Sequence, residues 1–131
     1  MKYAYTCTIE DDEGFFWVKF PDLPGCQTEG ETLEEALELA EDALNLMLWD
    51  MEEDNETIPP ATPFNKIPIA DGQVKAVIRA DTIEYRKACS DKTIQKTVTL
   101  PEWLDTMARK KNINFSNFFQ NALMKELDIA Q

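Results

Sequence analysis

Residues 93–100 read Thr-Ile-Gln-Lys-Thr-Val-Thr-Leu and run straight into Pro101 and an amphipathic segment. Successive side chains of a strand point to opposite faces. Ile94, Val98 and Leu100 would share one face, interrupted by Lys96, while Thr93, Gln95, Thr97 and Thr99 would share the other. One short strand has no sheet to join inside its own segment, and an isolated strand is unstable in water. The pattern therefore asks for a second copy of the strand from another chain. A two-stranded ribbon built that way fits the major groove of DNA, so the segment points to a dimeric DNA binder rather than to an enzyme.

The residues after the strand strengthen this reading. Pro101 has its φ preset for the start of a helix. A helix over 101–111 places Leu104, Met107 and Ala108 inward and Trp103 at the dimer seam. Arg109, Lys110 and Lys111 fall in its last turn, where they complement the helix dipole or meet a phosphate. Asn112-Ile113-Asn114 makes the turn, and Asn114 caps a second helix over 115–128. That helix carries its apolar stripe on Phe115, Phe118, Phe119, Ala122, Leu123 and Leu127. Gln bonds an adenine edge with both amide atoms, and Thr bonds a base edge or touches a thymine methyl. Thr93, Gln95, Thr97 and Thr99 are thus candidate base contacts, although polar β-branched residues suit any solvent-facing strand. The open amides at the second helix's N-terminus, around Asn114, Phe115 and Ser116, are candidate phosphate contacts.

The preceding residues follow a different plan. Residues 2–10 and 15–20 read as two strands joined by an acidic turn, Glu10-Asp11-Asp12-Glu13-Gly14, and so as a hairpin. Pro21-Asp22-Leu23-Pro24-Gly25 is a rigid loop, and Cys26–Glu29 a short third strand closed by Gly30. Thr32-Leu33-Glu34-Glu35 is a capping box that opens a helix to about Met51. Its apolar positions, Leu33, Ala36, Leu37, Ala40, Ala43, Leu44, Met47, Leu48 and Met51, make one stripe able to cover a sheet. Leu39, Leu46 and Trp49 fall partly off it, which predicts a wide buried face or, as the alternative, a second contact surface. Pro59, Pro60, Pro63 and Pro68 mark an extended loop. Val74–Ala80 is a further strand, and Asp81-Thr82-Ile83-Glu84 caps a short helix to Ala88. The order β-β-β-α-β gives an α+β layer with one main helix on a small sheet. The expected division is 1–88 and 92–131, with a hinge at 88–92.

Charge separates the two parts. The net −12 divides into 7 Lys/Arg against 20 Asp/Glu over residues 1–88, a net −13, and 6 against 5 over 89–131, a net +1. A strongly acidic body is repelled by phosphate and attracts a basic partner. The near-neutral tail can approach DNA. The chain has no histidine, which removes the commonest general base and any Ser-His or Cys-His nucleophile. Cys7, Cys26 and Cys89 share no metal-type spacing and read as reduced thiols. No cofactor and no metal are expected. No apolar run reaches membrane-spanning length, and Met1-Lys2-Tyr3-Ala4-Tyr5 lacks a signal-peptide core, so a cytoplasmic protein is expected.

Two resemblances follow from these motifs. Residues 93–128 resemble the ribbon–helix–helix repressors, with the departure that no Arg or Lys stands among Thr93, Gln95, Thr97 and Thr99. The run Phe20-Pro21-Asp22-Leu23-Pro24-Gly25-Cys26, followed by Gly30-Glu31-Thr32-Leu33-Glu34-Glu35-Ala36, resembles the HicB antitoxin family. That resemblance implies a partially degraded RNase H-like N-terminal domain. It also implies that this domain blocks a HicA-type toxin, a small mRNA interferase with a double-stranded-RNA-binding-like fold and a catalytic histidine. The C-terminal module would be a homodimer that binds the operator DNA of its own operon. Pairing of dimers into a tetramer in the toxin complex is a further option. An RNase H-like fold raises the question of metal-dependent nuclease activity from Asp11, Asp12, Glu13, Asp22 and Glu29. Turn chemistry accounts for those acids, and no catalysis is expected. Candidate toxin contacts are Phe15, Trp17, Asp22, Leu23 and Glu29, with core packing an equal alternative for Phe15 and Trp17. The alternative function is a stand-alone ribbon–helix–helix regulator whose N-terminal domain senses a small ligand.

Overall fold

The computed structural model describes residues 1–90 and 92–129. Asp91, inside the predicted hinge, and residues 130–131 lie outside the described residues. The chain divides into two compact units, residues 1–91 and 92–131.

The first unit is built on an antiparallel sheet, β1 (Lys2–Asp12), β2 (Phe15–Lys19), β3 (Gln27–Gly30) and β4 (Gln73–Asp81), in the spatial order β3-β2-β1-β4. The β1–β2 turn is shorter than the acidic run suggests. Asp12 pairs with Phe15, leaving only Glu13 and Gly14 in the loop, at φ 51° and 85°. Positive φ at both positions is what a two-residue hairpin with the twist of its strands requires. Glu10, Asp11 and Asp12 therefore belong to the strand, and their side chains alternate between its faces.

Helix α1 (Leu33–Glu53) starts where the capping pattern places it, with the Thr32 hydroxyl accepting from the Glu35 amide at 3.1 Å. Ala36, Ala40, Leu44 and Leu48 are fully buried in one core with Tyr5, Cys7, Ile9 and Val18 of the sheet and Phe20 just after β2. Gly30 lets the helix approach this closely. A Cβ there would stand 2.6 Å from the Ala36 nitrogen. The buried face is narrower than the sequence predicts, because Leu39 and Leu46 are exposed. Trp49 meets a different element, α2 (Thr82–Cys89), packing edge-on to Tyr85 with the Arg86 guanidinium over its ring. Asp81 caps α2, accepting from the amides of Ile83 and Glu84.

The proline-rich connection is tied down at several points. Tyr5 donates its hydroxyl to the Pro59 carbonyl, and Thr62 bonds Asp22. A short 3-10 turn, Phe64–Lys66, follows. The Lys75 ammonium donates to the carbonyls of Phe64 and Ile67 and lies over the Phe64 ring.

The second unit holds α3 (Glu102–Lys110) and α4 (Phe115–Glu126). Asn114 caps α4 by accepting from the Asn117 amide at 3.1 Å. The expected strand 93–100 does not form. Residues 92–100 are neither helix nor strand, because a strand exists only in a ladder and this segment has no partner strand among the described residues. No side chain of α3 or α4 is buried, and Ile94, Trp103, Met107, Phe118 and Leu127 all lie open to solvent.

Candidate functional site

The hairpin register decides what each face of the sheet presents. Phe16, Val18 and Phe20 alternate toward α1 and join its core, so Phe15, Trp17 and Lys19 point the other way. Cross-strand partners share a face. Trp17 pairs with Glu10 on β1 and Glu29 on β3, Phe15 with Asp12, and Lys19 with Thr8 and Gln27. The face away from α1 thus carries two aromatic rings among three carboxylates. Phe15 is 40% exposed and Trp17 39%, which excludes simple core packing for either. Toward β4 part of the same face is covered, while Val77, the partner of Thr6, stays exposed. Lys75, paired with Thr8, holds the 3-10 turn against it through the two carbonyl bonds, and Thr6 and Thr8 are buried there.

Three of the five candidate toxin contacts, Phe15, Trp17 and Glu29, come together on this open face. The other two do not present themselves as expected. Leu23 is only 2% exposed. The loop folds back on itself through Leu23 N–H to Phe20 O, Cys26 N–H to Leu23 O and Phe20 N–H to Cys26 O, which drives the Leu23 side chain into the core. Asp22 is half-buried, with one carboxylate oxygen accepting from the Thr62 amide at 2.8 Å and the other from its hydroxyl at 2.6 Å. Glu10 and Asp12 were missed as partners of this surface. Read as turn acids, they are strand residues, and only the two-residue loop reveals it.

The acids do not converge as a nuclease centre would need. Glu10 and Asp12 share the open face, Asp11 faces the other way beside Phe16, and Glu13 sits in the turn. Among the described residues no group of three or more His, Cys, Asp or Glu side chains could hold a metal ion. No helix among them is long and apolar enough to cross a membrane.

In the second unit Thr93, Gln95, Thr97 and Thr99 are all exposed, as are Asn114, which caps α4 with its side chain, and Phe115 and Ser116 in the first turn.

The family model described as the HicB-like antitoxin of bacterial toxin–antitoxin systems matches residues 5–123. The chain belongs to this family. Among curated relatives, antitoxin HicB 1 of Photorhabdus laumondii is 48% identical over 63 residues, 47% of this chain and 41% of the relative. Antitoxin HicB of Escherichia coli K12 is 45% identical over 65 residues, 50% and 46% of the two chains. The match spans less than half the length of these relatives. Two solved structures share the fold over nearly the whole chain. A toxin–antitoxin complex from Streptococcus pneumoniae superposes with a TM-score of 0.62 at 24% identity, covering 96% of this chain and 99% of that one. The antitoxin HicB3 crystal structure gives 0.52 at 21% identity, covering 98% and 100%.

Proposed function

We propose that this chain is the antitoxin of a toxin–antitoxin pair, binding and sterically neutralising a HicA-type mRNA interferase through its first unit. The observation that carries the reading is the open sheet face, where Phe15 and Trp17 stand exposed among Glu10, Asp12 and Glu29. Exposed aromatics supply contact area, and an RNA-cleaving enzyme needs a basic surface that these carboxylates complement. Docking there covers the toxin's RNA-binding face. The first unit is a degraded RNase H-like domain that performs no catalysis of its own.

The second unit dimerises and represses its own operon. Its helices bury no side chain alone, and its exposed apolar residues need a second copy to exclude water. Pairing of two 93–100 segments makes the ribbon. Thr93, Gln95, Thr97 and Thr99 then read bases, and the α4 N-terminus at Asn114, Phe115 and Ser116 holds a phosphate. With no Arg or Lys on the ribbon's reading face, few phosphates are neutralised there and the salt dependence is shallow.

Co-expression with the neighbouring small basic reading frame tests the first role, and mobility shift on the upstream promoter tests the second. A complex that restores growth is the expected result. A folded chain that neither binds nor rescues would shift the assignment to a ligand-sensing ribbon–helix–helix regulator.

A further inference from the structure

The open face of the sheet dips into a shallow depression lined by Glu10, Asp12, Trp17, Lys19 and Gln27. These side chains come from three adjacent strands, and the strand pairings put all of them on the face turned away from α1. We propose that this depression is an arginine-docking site. A guanidinium from the basic partner stacks on the Trp17 indole while its N–H groups reach Glu10 and Asp12. The proposal rests on the toxin-binding reading above and names the chemistry of its anchor.

Four observations carry it. Glu10, Asp12 and Glu29 take part in none of the ion pairs among the described residues. Acidic residues are depleted from strands and like charges repel across them. Three carboxylates without an ion-pair partner around one ring, with Lys19 as the single cation lining the depression, are therefore a cost to the isolated fold, which a cation from outside removes.

The spacing selects the kind of cation. Side chains two apart on a strand stand roughly 7 Å apart. Among the described residues no three His, Cys, Asp or Glu side chains gather as a metal site would need. A guanidinium offers donors along two edges and a flat face for the indole, whereas an ammonium offers a point charge.

Trp17 lies between carboxylates on both neighbouring strands, Glu10 on one side and Glu29 on the other. A cation over its ring is attracted from both. Lys19, at the far end of the depression, repels a second cation and so fixes the direction from which the side chain enters.

The charge of residues 1–88, a net −13, steers a basic partner toward this face.

The test is calorimetric titration of the full chain with the HicA-type toxin that the proposed function assigns to it. Trp17→Ala and the double change Glu10→Gln with Asp12→Asn should each weaken binding at least tenfold. Glu38→Gln with Glu41→Gln, on the exposed side of α1, should change it less than twofold. An Arg→Lys scan of the partner should find one position that costs tenfold against the wild-type chain and less than twofold against Trp17→Ala. The amide pair keeps side-chain shape and so carries the test alone if Trp17→Ala fails to fold. Tight wild-type binding with both variants within twofold, or with no partner arginine coupled to Trp17, overturns the arginine site and leaves the toxin reading standing. No binding by the folded wild-type chain overturns both.

Discussion

Asp22 and Thr62, forty residues apart, are joined by two hydrogen bonds, from the Thr62 amide at 2.8 Å and from its hydroxyl at 2.6 Å. The carboxylate thereby clamps the β2–β3 loop to the proline-rich connection. Each bond to a charged acceptor is worth about 1.5–3 kcal/mol when half-buried groups lose it. Asp22→Ala should lower the thermal midpoint by several degrees, and Thr62→Val by somewhat less, since its amide bond survives. Because both act on one contact, the double variant should melt close to Asp22→Ala alone. Additive losses in a calorimetric scan would show that the two residues act separately.

Glu52 is the hub of a second polar cluster. Its carboxylate accepts from the Tyr3 hydroxyl at 2.7 Å, the Thr82 hydroxyl at 2.9 Å and the Arg86 guanidinium at 3.0 Å. Burial alone would raise its pKa, but the three donors together hold it below the ordinary value of 4.5. A depressed folded pKa adds stability that is present above pH 4.5 and is lost as pH falls through the lower folded value. Glu52→Gln should therefore cost about 1–3 kcal/mol at pH 7 and much less in acid. Urea melts of both proteins from pH 7 down to pH 3 should converge. A gap that stays constant with pH would refute this origin.

Thiol reactivity should separate the cysteines. Burial pushes the Cys26 thiol up to about 11 and raises Cys7 as well, while Cys89 is exposed. Only the thiolate attacks. At pH 8 a colorimetric disulfide reagent should titrate one thiol quickly in the folded chain and three after denaturation. Cys89→Ser should abolish the fast phase. A fast phase that persists in Cys89→Ser would mean that a core thiol is open to solvent.

Gly30 tolerates no side chain. Its virtual Cβ lies 2.6 Å from the Ala36 nitrogen and 2.9 Å from the Ala36 Cα, so backbone rather than a flexible tip must move. Gly30→Ala should cost about 1–3 kcal/mol or more from overpacking. Gly14→Ala meets no atom within 4 Å but is strained at φ 85°. Both should lower the melting point, and only Gly30→Ala should displace the start of α1, read as amide exchange at Glu34–Leu37.

Much of the first unit was legible in the sequence because its signals are local. Thr32 and Asp81 cap the helices they precede, and the helical stripe from Ala36 to Leu48 lies on the sheet. The surface was harder to read. Asp12 looks like a turn residue by composition, yet pairing with Phe15 makes it a strand neighbour. Leu23 sits between prolines in a loop that reads as exposed, yet three backbone bonds fold it inward. Both depend on hydrogen bonds between residues whose side chains announce nothing. Segment 93–100 has no partner strand among the described residues, so a single chain cannot show the pairing that its alternation asks for.

That absence of a buried side chain in α3 and α4 has a thermodynamic consequence. A body with no fully buried side chain draws little folding free energy from its own core, so on the dimer proposed above most of its stability comes from association. Its melting temperature should then climb with the logarithm of protein concentration, while that of the first unit stays still. One polypeptide would carry two stabilities in different units, one an energy and the other a concentration.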